Sequence, residues 1–251
     1  MTLAMTGGQA TLVFLVMIRC MGIITTAPIY SHHAIPVLVK FGLAAALAIA
    51  LVKPAGETAG TLTLIMAAPL ELIIGLSIGF ILSMGFQAVE LAGRVISLQL
   101  GLSIGSVFSP TQEEGATAID PFFSILAGLL FLALGLHLAV VQTIAHSFVA
   151  YPVGGGWPIS LPATGAQTIA LALELGARVA LPIALVLLLV ELAVALLARA
   201  IPQINVFIFG LPLKMTAGIA ILSMAMPTLI NGATSIFRFV FNAASGGAVG
   251  T

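Results

Sequence analysis

Charged side chains are rare in this chain, so each one inside an apolar run is a candidate for chemistry. The sequence holds eight Lys and Arg, eight Asp and Glu, and four His among 251 residues. Arg19, Glu71, Glu90, Arg94 and Glu191 all fall within apolar runs, where an ionised group is expensive by a few kcal/mol. Each must meet a protein partner or a watery cavity. Glu90 and Arg94 are four residues apart, as are Glu174 and Arg178, so each pair is placed to neutralise itself along one helix face. Arg94 also belongs to a longer series. Gly79, Ser83, Gln87, Glu90, Arg94, Ser97 and Gly101 step by three or four residues and form one stripe along a helix, with Gln99 beside it. A stripe that is small at its start and polar in its middle is costly against lipid. It should face closely packed helices or an aqueous path.

Two further patterns stand out. Gly75-Leu76-Ser77-Ile78-Gly79 and Gly101-Leu102-Ser103-Ile104-Gly105 are the same five residues. Each carries a glycine pair four residues apart, which lets helix backbones approach closely. The segment Ser106-Val107-Phe108-Ser109-Pro110-Thr111-Gln112-Glu113-Glu114-Gly115 joins the striped helix to the next apolar run. It reads either as an exposed turn or as a flexible segment that occludes a pore, with Val107 and Phe108 as apolar stoppers. Enzyme chemistry is weakly represented. The histidines, His32, His33, His137 and His146, are adjacent or far apart, lack nearby acids, and read as satisfied interfacial or buried groups. No metalloprotease, nucleophile-elbow or phosphate-loop pattern occurs. The single cysteine, Cys20, is expected to be a packed core residue. No cofactor and no metal are expected.

The elements that must position these groups follow from composition. The chain is 61% hydrophobic and 6% charged, with mean hydropathy +1.25. A soluble domain carries about 25% charged residues, so most of this outer surface must face lipid or other apolar protein. Zero net charge gives no basic patch for nucleic acid. Apolar runs cover about residues 10–30, 34–52, 62–89, 121–150, 168–198 and 206–230, each near or above the roughly 20 residues that cross a hydrocarbon core. Backbone groups in lipid need internal partners, and no run alternates as a barrel strand would. The fold class is therefore all-α and of integral membrane type, with about six apolar helices. The first run lacks the basic flank of a signal peptide and reads as a retained helix. The third run continues helically toward Gly105; unbroken from residue 62 it would be roughly 66 Å long. Either it breaks, with Pro69 and Gly85 as candidates, or it does not sit in a bilayer conventionally. Flanking Lys and Arg tie between the two sides and assign no orientation.

The order of several stretches resembles the R subunits of type III protein-export gates, the FliR/SctT family. The stretches are Arg19; Pro69-Leu70-Glu71-Leu72-Ile73-Ile74-Gly75-Leu76; Ala92-Gly93 with Gln99-Leu100-Gly101-Leu102; and Pro110. Leu130-Phe131 with Gly135-Leu136-His137 follow, then Ala200-Ile201-Pro202-Gln203-Ile204-Asn205-Val206-Phe207 and Gly210-Leu211-Pro212-Leu213-Lys214. The last of these is closer to flagellar than to injectisome members. The resemblance covers nearly the whole chain. It implies a non-enzymatic subunit of a helical ring assembled with FliP and FliQ homologues, with FlhB and FlhA as further partners. The ring would form the entrance of the secretion channel for unfolded flagellar export substrates, at the flagellar basal body in the bacterial inner membrane. Residues 1–150 would be a FliP-like part with a plug-like loop near 106–115, residues 151–166 a Pro/Gly-rich connector, residues 167–240 a FliQ-like hairpin, and residues 241–251 a flexible tail. Lifting of the gate out of the bilayer plane would account for the unassigned orientation and the overlong helix. A contrasting reading is a secondary transporter that relays protons or solute through Glu71, Glu90 and Arg94; no convincing inverted repeat accompanies it. A third is an inert assembly scaffold.

Overall fold

The computed structural model describes residues 7–32, 34–52, 64–101, 120–156, 160–200 and 206–244. Every regular element among them is an α-helix. In chain order these are α1 (Gly7–Thr26), α2 (Val37–Leu51), α3 (Leu64–Leu100), α4 (Asp120–Ala133), α5 (Leu136–Ala150), α6 (Ser160–Ala200) and α7 (Val206–Ala244). Helices α1, α3, α6 and α7 are long and apolar enough to cross a membrane. The pair α4–α5, bent by 68°, makes a fifth if it is taken as one span, and α2 is shorter. The chain is thus an all-α protein of membrane type.

Local chemistry explains most of the boundaries. Pro36 precedes α2 with φ −57°, and its carbonyl accepts from the N–H groups of Val39 and Lys40. A proline there loses no helical hydrogen bond, because the first N–H groups of a helix have no internal acceptor. The run at residues 121–150 is two helices rather than one. Gly135 takes a left-handed conformation, φ +68°, which ends α4 and begins α5 at little steric cost. Helix α6 starts at Ser160, inside the stretch expected to be a connector. Pro162 lies in its first turn, where the missing N–H is tolerated. Helix α7 extends past residue 230 to Ala244.

Helix α3 shows no break at either expected position. It runs for 37 residues with Pro69 inside it, about 56 Å at 1.5 Å per residue. Pro69 forfeits only the bond to the Ile65 carbonyl, near the open end of the helix. Gly101, with φ +73°, stops it; its N–H bonds to the Leu98 carbonyl at 3.1 Å.

Packing divides the chain into two units. The first comprises Met1–Gly85, Gly135–Ala170 and Arg238–Thr251; the second comprises Phe86–Leu134 and Leu171–Phe237. Helices α3, α6 and α7 contribute to both. In the first unit α1 buries Leu12, Leu15, Val16, Cys20 and Ile23, a seam of steps of three and four. α3 answers with Ala67, Ile74, Ile78 and Leu82, and α5 with Val140, Ile144 and Phe148. At three glycines α1 and α3 come close enough that an added side chain would not fit. A methyl group on Gly75 would strike the Arg19 carbonyl. One on Gly79 would lie 2.6 Å from the Ile23 carbonyl, and one on Gly22 would lie 2.9 Å from that of Leu72. In the second unit Phe86, Phe131 and Phe237 form an aromatic cluster with centroids 5.3–6.4 Å apart, at the tilted and edge-on angles such rings favour.

Candidate functional site

The most elaborate polar arrangement among the described residues lies inside the first unit. Arg19 occupies a buried position of the α1 seam, and Glu71 falls in the α3 seam between Ala67 and Ile74. Their residues are 0% and 2% exposed. A charge on a buried seam must be paired, since desolvating it alone costs several kcal/mol. Arg19 Nε donates to Glu71 Oε2 at 2.5 Å. Arg19 Nη1 donates to the Ser147 carbonyl at 2.9 Å and to the Tyr151 carbonyl at 2.7 Å. Glu71 Oε1 accepts from the Gly154 N–H at 3.0 Å, and the guanidinium carbon lies 4.6 Å from the centre of the Phe148 ring, in cation–π range. Nη2 is buried with no hydrogen-bond partner. The glycine-lined crossing of α1 and α3 makes the short ion pair reachable.

The sequence marked Arg19 and Glu71 as groups in need of partners but did not join them, because they lie 52 positions apart. A signal was available: each sits where the helical periodicity of its run demands an apolar side chain.

The polar stripe is present on α3 with unequal surroundings. Gly75 and Gly79 are buried against α1, as close-packing glycines should be. Ser83 is half-buried, and its hydroxyl donates to the Phe80 carbonyl at 2.8 Å. Gln87 and Arg94 are exposed, Glu90 and Gln99 are half-buried, and Ser97 is buried. The expected pair between Glu90 and Arg94 is not formed. Glu90 Oε1 instead accepts from the Ser124 hydroxyl of α4 at 2.9 Å. Within the second unit that hydroxyl bonds the carboxylate from a neighbouring helix, and Arg94 is exposed. The other expected pair does form: Arg178 Nη2 donates to Glu174 Oε1 at 2.6 Å, on an exposed face. Lys214 and Glu191 meet at 3.1 Å and join α6 to α7, a pairing the sequence did not reveal.

Gly101 terminates α3. Gly105 and the loop formed by Ser106, Val107, Phe108, Ser109, Pro110, Thr111, Gln112, Glu113 and Glu114 lie outside the described residues.

The histidines need one correction. His32 Nδ1 accepts from the Ala34 N–H at 3.1 Å, and His146 is exposed. His137 was expected to be satisfied, yet its Nδ1 is buried without a partner; its backbone carbonyl accepts from the Tyr30 hydroxyl at 3.4 Å. Cys20 is buried in α1, as a core residue would be. Among the described residues no three His, Cys, Asp or Glu side chains gather as a metal site. What the arrangement offers is a rigid, internally neutralised helix pair and a long helix with a polar exposed face.

Comparison with known proteins places this geometry in context. Residues 10–240 match the family described as bacterial export proteins, family 1. The chain is 33% identical over 236 residues to the flagellar biosynthetic protein FliR of Escherichia coli strain K12, covering 92% of this chain and 90% of that one. It is 31% identical over 228 residues to FliR of Aquifex aeolicus, covering 89% and 88% of the two chains. A shorter match, 28% identical over 159 residues and 61% and 59% of the chains, is to the Yop proteins translocation protein T of Yersinia pestis. The chain belongs to the bacterial export protein family.

Proposed function

We propose that this member of the bacterial export family is a non-enzymatic core subunit of the flagellar type III export gate. In this role it forms part of the channel entrance through which unfolded flagellar substrates leave the cytoplasm. Its place is the inner membrane at the flagellar basal body, in a ring with FliP and FliQ homologues and in contact with FlhB and FlhA. That it is a membrane-type export component rests on the family match and on the helices long and apolar enough to cross a membrane. The finer reading is carried by one observation: α3, mostly apolar, exposes Gln87 and Arg94 on the surface of the single chain. Such groups are poorly tolerated against acyl chains, so they favour a neighbouring subunit or a watery channel. The broad apolar surfaces of α6, where Leu181, Leu185 and Leu189 are exposed, suit lipid and apolar neighbours.

In this proposal residues 106–115 form the plug that closes the channel at rest. Deleting them is expected to raise ion leak across the membrane and to alter substrate export. Unchanged leak together with unchanged export would remove the plug from the proposal. A secondary transporter relaying protons through Glu71 is less well supported, because Glu71 is held on both oxygens by Arg19 and Gly154. Solute uptake by the purified chain alone in liposomes would reverse that preference.

A further inference from the structure

The chain leaves α5 through Tyr151-Pro152-Val153-Gly154, and this turn has little of its own to hold it. Pro152 carries no N–H, Gly154 and Gly156 are left-handed at φ +72° and +91°, and one internal bond joins the Gly155 N–H to the Pro152 carbonyl at 3.0 Å. The turn offers an acceptor at Tyr151 and a donor at Gly154. The buried ion pair supplies the complement of each: Arg19 donates to the Tyr151 carbonyl, and Glu71 accepts from the Gly154 N–H. The same guanidinium nitrogen also reaches the Ser147 carbonyl in the last turn of α5. The last carbonyls of a helix carry partial negative charge, which suits a cation.

Mutual neutralisation would need only the contact between Arg19 and Glu71. The contacts beyond it converge on the end of α5 and the residues that follow. We infer that the Arg19–Glu71 pair is a latch that fixes the course of the chain out of α5 toward α6. It does so by gripping the 151–154 turn from α1 and α3 at once. The grip requires a guanidinium, whose planar fork serves the carboxylate and the carbonyls together; an ammonium is a single point of charge and cannot span them.

Val153 is fully buried, so a thiol placed there reports on opening of the turn. In full-length protein in its native membrane, with Cys20→Ala as background, Val153→Cys is labelled with a membrane-permeant maleimide. Ile24→Cys, buried in α1, serves as the reference thiol in a separate chain. Arg19→Lys is expected to speed labelling at position 153 roughly tenfold, the scale of a lost buried hydrogen bond to a charged group, and to leave position 24 within about twofold. Ile78→Ala removes a buried α3 side chain but spares the latch, and should not favour position 153 over position 24. Equal acceleration at both positions by Arg19→Lys would mean general loosening and would overturn the latch, as would unchanged labelling at 153. If Arg19→Lys does not accumulate, Glu71→Gln reads the same contrast. It keeps an oxygen for Gly154 but breaks the ion pair, with the same two results deciding.

Discussion

Replacing Arg19 by Met should damage the protein more than replacing Arg19 and Glu71 together by apolar residues. Arg19→Met leaves the Glu71 carboxylate 2% exposed with one remaining partner, the Gly154 N–H. Breaking a buried pair from one side costs about 3–5 kcal/mol. In Arg19→Met with Glu71→Leu no charge is left to desolvate. The remaining deficit is two backbone groups, the Tyr151 carbonyl and the Gly154 N–H, at about 1–3 kcal/mol each when left dry. The Ser147 carbonyl keeps its bond from the Tyr151 N–H at 2.9 Å and adds nothing. Tyr151 is half-buried, so water relieves part of its share and the double variant should lie near the lower end, about 2 kcal/mol. In mild detergent the apparent melting temperature should fall by roughly 10 °C for Arg19→Met, and by clearly less for the double variant, taking about 2–4 °C per kcal/mol. Additivity of the two single changes would show that the side chains do not depend on each other, and the account of the site would be wrong.

Three further outcomes are expected. Gly75→Ala should destabilise by about 1–3 kcal/mol because the α1 backbone must move away, whereas Gly42→Ala, whose added methyl meets open space, should be neutral or stabilising by about 0.5–1 kcal/mol; thermal melts of the two variants test the contrast. Phe131→Ala should cost about 3–5 kcal/mol by opening the ring cluster with Phe86 and Phe237, measured the same way. Glu90→Gln with Arg94→Gln should alter ion leak or export if α3 borders the channel; a change confined to the amount of assembled complex, with normal leak and export per complex, would favour a scaffold role.

The helices were legible because apolar runs of membrane length have no other way to satisfy their backbones. Their interruptions were less so. Ala133, Leu134 and Leu136 are as greasy as the helices around them, and only the left-handed Gly135 separates α4 from α5, a feature hydropathy does not register. The proline-rich stretch near residue 160 concealed the start of α6, since a proline in a first turn looks like a breaker and is not one. Among the charges, local spacing gave Glu174–Arg178 correctly and suggested Glu90–Arg94 wrongly. Four-residue spacing permits a pair but does not compete well with a hydroxyl presented by a neighbouring helix, here Ser124. Arg19–Glu71 was hidden for the opposite reason: the need for a partner is local, and the partner is chosen by how α1 crosses α3.

The glycine contact between α1 and α3 also bears on motion. Where side chains interdigitate, helices can shear by small rotamer changes. At Gly22 and Gly75 there is backbone against backbone, and no rotamer to adjust. A push on α1 is therefore handed to the neighbouring stretch of α3 without play, so the two behave as a single strut, and any flexing the protein needs in service must be found away from that joint.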